Sequence, residues 1–460
     1  MDLIIRDIIN VCNGKLIFGN ENEKCENFSK DTRTIKENDI YVGIKGENFD
    51  GNTLYEEALN KGAKACILQG INIDDNIKNK YKDKSIIMVE DTIKALQEIA
   101  KYKRSKYNIP VIAITGSVGK TSTKDIIASV VREQYNVLKT QGNLNNHIGV
   151  PLTILGLKDH EALVVEMGMN NLGEISVLSK IANPDIAVIT NVGTSHIGNL
   201  GSRENILKAK LEILDGLKEN GTLIINNDND MLHNWNKTNN NVKVITYGIE
   251  NKSNYNACKI KSYENSSKFC IEINSEYSEE IEVPVGGTHF IYNALSAVAV
   301  GEQLNIPFNK IKQGIEKFEL TKSRMELLKI DDNVTIVNDC YNANYDSMKA
   351  AIEYLSKTKS KRKIAILGDM LELGEFSYEL HKKVGEEIIK NKIDVLVTVG
   401  EMGKVISDTA KNGNVTVYHC ENNDRAIEKT KEIIKSEDII LVKASNGMKF
   451  KNIVDGLIKK

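Results

Sequence analysis

Thr115-Gly116-Ser117-Val118-Gly119-Lys120-Thr121-Ser122 is a run of residues able to hold a polyphosphate. Glycines let a turn aim its backbone N–H groups at one anion, and a helix N-terminus behind them adds a positive dipole end. Lys120 would supply a cation for the phosphates, and the Thr121 hydroxyl a ligand for magnesium. The general P-loop would place its first glycine at position 114, where this chain has Ile114. The glycine comes at Gly116 instead, which makes a shortened T-G-S-x-G-K-T loop. An ordinary strand-to-helix turn is the alternative, but the flanks favour a nucleoside triphosphate site. Val111-Ile112-Ala113-Ile114 reads as a buried strand, and a helical pattern runs from about Lys120 to Tyr135.

Two further residues stand where such a site needs them. Glu166 closes the apolar run Leu163-Val164-Val165. A carboxylate at the C-terminal edge of a parallel strand beside a phosphate loop suits magnesium, although a lone strand-end acid is usually just solvated. His196 follows the run Ile186–Thr190 through Asn191-Val192-Gly193-Thr194-Ser195. Spacing alone leaves it as readily structural as functional.

These residues need a scaffold of alternating strands and helices, and the chain supplies one. Its 460 residues suggest about three domains at roughly 150 residues each. Residues 1–108 form a small α/β block with strands at Ile40–Ile44 and Ala65–Leu68; Lys101–Tyr107 reads as a helix end plus linker before Pro110. Residues 109–318 alternate strands, including Thr222–Asn226, with helices, which argues for a mainly parallel sheet. Shorter alternations at 242–285 suggest an antiparallel extension. Residues 319–460 alternate again, with strands at Val334–Val337, Ile364–Leu367, Val395–Val399 and Ile439–Val442, as in a Rossmann-like sheet. The class is α/β throughout.

Composition excludes more than it assigns. A net charge of −2 gives no general pull toward nucleic acid or anionic membrane. No apolar run approaches the ~20 residues needed to span a bilayer, and no signal peptide is visible. Seven scattered cysteines without C-x-x-C spacing fit reduced thiols in a cytoplasm rather than disulfides or a zinc site.

The motifs occur in a telling order. The phosphate loop is followed by Gly142-Asn143-Leu144-Asn145-Asn146, Glu166-Met167-Gly168 and Asn191-Val192-Gly193-Thr194-x-His196. Later come Tyr341-Asn342-Ala343-Asn344 and Leu367-Gly368-Asp369-Met370-Leu371-Glu372-Leu373-Gly374; Asp31-Thr32-Arg33 and Phe49-Asp50-Gly51 lie near the start. In this order the chain resembles the Mur ligases, the ATP-dependent amide-forming enzymes of peptidoglycan precursor synthesis. Within that group it is most similar to members that join D-alanyl-D-alanine to UDP-N-acetylmuramoyl-tripeptide.

The resemblance implies a division of labour. Residues 1–108 would bind the UDP-sugar peptide, 109–318 ATP, and 319–460 the incoming dipeptide, in a cytoplasmic monomer. Lys120, His196 and Lys210 would be catalytic. Thr121 and Glu166 would hold one magnesium ion, and His196 and Lys210 a second. The family carries a carbamylated lysine fourteen positions after its magnesium-binding histidine, which selects Lys210 over Lys208. Asn293, Arg324 and Asp339 would join the loop in binding ATP; capping of a helix Ala294–Leu304 is the alternative for Asn293. Thr32, Arg33, Asp50, Gly51, Asn143, Asn145, Asn146, Tyr341, Asn342 and Asn344 would contact the other substrates. For Asp50-Gly51 a plain turn is the alternative.

Two positions depart from the family pattern. Tyr345 stands where proline usually follows Asn-Ala-Asn, and Lys443-Ala444-Ser445-Asn446 replaces Lys-Gly-Ser-Arg, so a bidentate anion-binding group is lost. A paralogue using a different amine is one alternative. Folylpolyglutamate or cyanophycin synthetases share the loop, but Asp31–Arg33 and Tyr341–Asn344 argue against them. A nucleotide-dependent switch would carry an N-K-x-D-type guanine reader, which is absent.

Overall fold

The computed structural model describes residues 3–238, 242–273, 276–330 and 333–459. Residues 1–2 and 460, the outer ends of the expected first and last blocks, lie outside the described residues. Three main sheets follow one another along the chain. The first has five strands in the order Lys15–Phe18, Ser85–Met88, Ala65–Leu68, Ile40–Val42, Phe28–Ser29, parallel except for the first pair. The second has ten strands around a parallel centre: Val137–Lys139, Ala162–Glu166, Val111–Thr115, Ile186–Ile189, Thr222–Asn226, Lys243–Gly248. The third runs Glu326–Lys329, Thr335–Asn338, Asp438–Lys443, Arg362–Gly368, Val395–Val399, Thr416–Cys420, again parallel except for its first pair. Helices cover the parallel centres, so these strands are buried on both faces and read as unbroken apolar runs.

The expected antiparallel extension begins later than 242. Lys243–Gly248 still pairs in parallel with Thr222–Asn226, and antiparallel pairing starts with Tyr255–Ser262 against Ser267–Ile273. The strands Glu326–Lys329 and Thr416–Cys420 had no expectation. Both are sheet edges with half-exposed side chains, so neither makes the apolar run that marks a buried strand.

Parallel pairing decides where the chemistry gathers. Glu166 lies opposite Ile114 and Ile189 opposite Thr115, so the phosphate loop, Glu166 and the loop ending at His196 leave the second sheet at one edge. The third sheet delivers Asp339, Lys443 and Asp369–Glu372 from the carboxyl ends of three adjacent strands. Ligands of open α/β sheets lie outside such carboxyl ends.

Two joints tie the sheets together. Helix Thr92–Ser105 packs on the second sheet's helices, and Lys103 and Arg104 are buried in its last turn. Lys103 Nζ donates to Leu155 O at 2.6 Å and Arg104 Nε to Ala182 O at 2.9 Å. These carbonyls end the helices Gly149–Leu155 and Glu174–Ala182, where a cation is favoured. Lys101–Tyr107, expected as a helix end plus linker, is the last turn of this helix and the start of the short connection after Ser105, and that last turn supplies a double helix cap. The second joint is the segment 319–325, where Thr321 Oγ1 donates to Asp125 Oδ2 on the phosphate-loop helix.

Candidate active site

The helix Lys120–Arg132 starts behind Gly119, whose φ of 82° suits glycine. Its first-turn N–H groups have no intrahelical partner and face the cavity in front. The loop ahead of it is held from inside. The Asn191 carboxamide accepts from the N–H groups of Ser117 and Val118 at 3.1 and 2.9 Å and donates to Val118 O. The anion cradle is therefore narrower than the motif suggested, because two of its N–H groups are already engaged. A Cβ on Gly116 would stand 1.9 Å from Thr190 Oγ1, which explains the glycine there. Thr115 is wholly buried and donates to Met167 O, a structural contact. Lys120 Nζ folds back onto Gly116 O at 2.8 Å, and its burial pulls its pKa down.

Glu166 forms the cation corner. Asn145 Nδ2 donates to its Oε1 at 2.8 Å, while Oε2 is buried without a hydrogen-bond partner. The nearest cation is the buried Lys124, 3.9 Å away. A carboxylate oxygen left bare inside a protein is costly, so this corner fits a metal ion. Thr121 Oγ1, which accepts from Arg324 Nη2 at 3.3 Å, lines the same cavity. Among the described residues no three His, Cys, Asp or Glu side chains converge on one point.

The loop Gly193–His196 is gripped by the third sheet's loops. Asp346 Oδ2 accepts from the Thr194 N–H and hydroxyl at 2.8 and 2.9 Å, and Asn344 Nδ2 donates to Ser195 Oγ. Glu372 Oε2 stands 2.8 Å from His196 Nδ1, off the direction of a good hydrogen bond. The imidazole holds the Glu372 carboxyl below its ordinary pKa. Lys210 is 1% exposed, in the last turn of the helix Arg203–Leu211. Burial, reinforced by Lys120, pushes its pKa well down, favouring the neutral amine. Lys208 is exposed.

A cavity of about 410 Å³ brings most of the expected residues together. Ser117–Ser122, Asn143, Asn145, Asn146, Glu166, His196, Asn293, Arg324, Asp339, Tyr341, Asn342 and Asn344 all line it. Asn146 also caps Gly149 at the start of its helix. Asn293 does not cap a helix at 294. The helix begins at Thr288, so Asn293 lies in its second turn and accepts from Thr123 Oγ1 at 3.0 Å. Arg324 stacks on the Tyr341 ring at 4.1 Å, and its buried Nε has no partner. A second cavity of about 250 Å³ shares His196 and Tyr341–Asn344 and adds Leu371–Leu373 and Ser445–Gly447. Thr115, Gly116 and Lys210 line neither cavity.

Thr32, Arg33, Asp50 and Gly51 line neither cavity. They follow the adjacent parallel strands Phe28–Ser29 and Ile40–Val42, so they share one carboxyl edge of the first sheet. Arg33 is exposed and paired with Asp31, while Tyr41 donates to Gly51 O across this edge. Asp50 does play a turn role, accepting from the Asn52 N–H. Tyr345 opens the helix Tyr345–Lys357 at a position that tolerates proline, and its hydroxyl donates to Glu387.

Some residues at the site carried no clear sequence signal. Lys443 is 2% exposed and pairs with Asp339 Oδ2 at 2.6 Å, also donating to Asn342 O. Its position at the end of an apolar strand, like that of Glu166, was the available hint. Asp346 had no reading from sequence and Glu372 only a place in the motif Leu367–Gly374; their contacts with Thr194 and His196 come from the fold.

Comparison with known proteins accounts for this arrangement. Residues 26–104 match the model of the Mur ligase family catalytic domain, 114–301 the Mur ligase middle domain, and 323–446 the Mur ligase glutamate ligase domain. The UDP-N-acetylmuramoyl-tripeptide–D-alanyl-D-alanine ligase of Bacillus subtilis (strain 168) is 39% identical over 433 residues, 93% of this chain and 92% of that one. The Escherichia coli (strain K12) protein of the same name is 32% identical, over 93% and 92%. The crystal structure of MurF from Acinetobacter baumannii superposes with a TM-score of 0.89 at 26% identity, covering 100% of this chain and 99% of that one. The MurF ligase of Thermotoga maritima, in complex with ADP, gives 0.82 at 27%, over 94% and 97%. With its loop, its acid and its third-sheet residues all converging on one cavity, this chain belongs to the Mur ligase family.

Proposed function

We propose that this chain joins D-alanyl-D-alanine to UDP-N-acetylmuramoyl-tripeptide, with ATP driving formation of the amide. The observation that carries the reading is the paired cavities. The larger holds the phosphate loop, the bare carboxylate oxygen of Glu166 and Arg324, and the smaller opens from its wall at His196 and Tyr341–Asn344. The names of relatives that match over more than nine-tenths of the chain support the substrates. The ADP complex of the Thermotoga structure supports the nucleotide.

A peptide carboxylate at neutral pH is a poor electrophile and must be activated. Its oxygen attacks the γ-phosphorus of ATP, the bond to the β-γ bridging oxygen breaks, and ADP leaves an acyl phosphate. The dipeptide amine then attacks the acyl carbon, loses its proton and expels inorganic phosphate. Lys120, Arg324 and the first-turn N–H groups offset the crowding of negative charge during transfer. Thr121 and Glu166 would hold one magnesium ion, and His196 with carbamylated Lys210 a second; when bound, magnesium would supply positive charge to the transferring phosphoryl group. Asn293 and Asp339 take the nucleoside side; Tyr341, Asn342 and Asn344 face the dipeptide, and Asn143, Asn145 and Asn146 the peptide end. Thr32, Arg33, Asp50 and Gly51 bind the UDP-sugar end in residues 1–108, with 109–318 and 319–460 handling ATP and acceptor. No helix among the described residues is long and apolar enough to cross a membrane, in keeping with a cytoplasmic enzyme.

Lys210 acts as a carbamate in this reading. A buried amine whose pKa is drawn down can add carbon dioxide, giving up one proton to solvent, and the resulting carbamate anion would offset the nearby Lys120 charge. Lys210→Ala should abolish turnover, with partial rescue by a small carboxylic acid. For the reaction itself, phosphate release should require both UDP-N-acetylmuramoyl-tripeptide and D-alanyl-D-alanine. Turnover indifferent to the amine would overturn the assignment.

A further inference from the structure

Glu372 has no place in the chemistry above, yet its geometry is unusual. It adopts a left-handed backbone (φ 64°), and so does His196 (φ 61°), the residue it faces. Such conformations are costly for residues with side chains and persist where the surroundings enforce them. Here the enforcing contacts are mutual. The Gly198 N–H donates to Glu372 O at 3.2 Å, and Gly374 packs so closely that a Cβ on Gly198 would stand 2.6 Å from Gly374 N. The side chains then meet, with Glu372 Oε2 2.8 Å from His196 Nδ1, a close approach that needs a small turn of the ring to become a hydrogen bond.

We infer that Glu372 is a positioning residue, standing close enough to His196 to accept the Nδ1 proton and set the ring when a metal ion engages Nε2. This rests on the reading of His196 as a magnesium ligand. A metal-bound histidine commonly gives its other ring N–H to a carboxylate, which fixes the tautomer and the plane of the ring. The distinctive feature is the source of that carboxylate. Glu372 belongs to the third sheet and His196 to the second, so the histidine is set only when the two stand together. The grip of Asp346 on Thr194 and of Asn344 on Ser195 holds the same loop from the same side.

The test is metal affinity, read without turnover. Free Mn²⁺ is followed by electron paramagnetic resonance as it is titrated into full-length enzyme saturated with ADP. Glu372→Ala should weaken Mn²⁺ binding by about 10- to 100-fold, the usual effect of losing such a partner. Glu372→Gln keeps an oxygen that can accept the Nδ1 proton and should recover most of the loss. Gly198→Ala wedges the two loops apart without altering either side chain and should resemble Glu372→Ala, with thermal melts checking that each variant is folded. Wild-type affinity in a folded Glu372→Ala overturns the proposal, as do equal losses in the Ala and Gln variants. His196→Ala separates the two readings. If it leaves Mn²⁺ binding intact, the metal role of His196 falls and this inference with it; if it weakens binding while Glu372→Ala does not, only the positioning role falls.

Discussion

Thr194 and Asp346 are joined by two hydrogen bonds across the gap between the second and third sheets, at 2.8 and 2.9 Å to the same carboxylate oxygen. Asp346 also lies against Gly193, where a Cβ would come within 2.2 Å of Oδ2. Hydrogen bonds to a charged group are worth about 1.5–3 kcal/mol each. Asp346→Ala should therefore lower kcat/KM for the acceptor by at least about tenfold, while ADP binding measured by calorimetry changes much less. Equal losses in both would show that Asp346 serves the whole fold rather than the junction.

Gly116→Ala tests the loop. The added methyl would overlap Thr190 Oγ1, and overpacking of this kind costs about 1–3 kcal/mol. The expected outcome is weaker ATP binding with a lowered melting temperature, both partly restored by adding Thr190→Ala. Absence of any restoration would mean the strain arises elsewhere.

Lys443 and Asp339 form a buried pair, so removing one partner strands the other. Lys443→Ala should cost about 3–5 kcal/mol in urea unfolding. Combining Lys443→Met with Asp339→Asn should cost clearly less than the sum of the single changes. Additive losses would refute the coupling.

His289 gives a pH signature. Burial drives its pKa from 6.5 down to about 4. Above pH 6.5 the ring is neutral in both folded and unfolded chains and contributes nothing. Between about 6.5 and 4 the unfolded chain takes up a proton that the folded chain refuses, so stability falls as pH falls. Melting temperature should drop through that window, and His289→Gln should flatten the drop. A variant as acid-sensitive as the parent would assign the effect to other groups.

The sequence carried the local units well. Val111–Thr115 into Lys120–Arg132 was legible because an apolar strand, a glycine turn and a helix start are all short-range signals. Glu166 was placed by pattern and Lys210 by resemblance alone, and both are buried. Asp346 escaped notice, and Glu372 and Lys443 entered only as members of motifs without a role of their own, because their importance comes from partners about a hundred residues or more away. No local spacing records that pairing. The edge strands were missed for a related reason, since a half-exposed strand has no apolar run to announce it.

The Asn191 carboxamide has a thermodynamic consequence. By engaging the N–H groups of Ser117 and Val118, it keeps the phosphate loop in shape before any nucleotide arrives. A ligand meeting a preorganised loop spends little of its binding energy on ordering the chain. The entropy of triphosphate binding should therefore be dominated by released water and ions, with the peptide segment itself nearly silent.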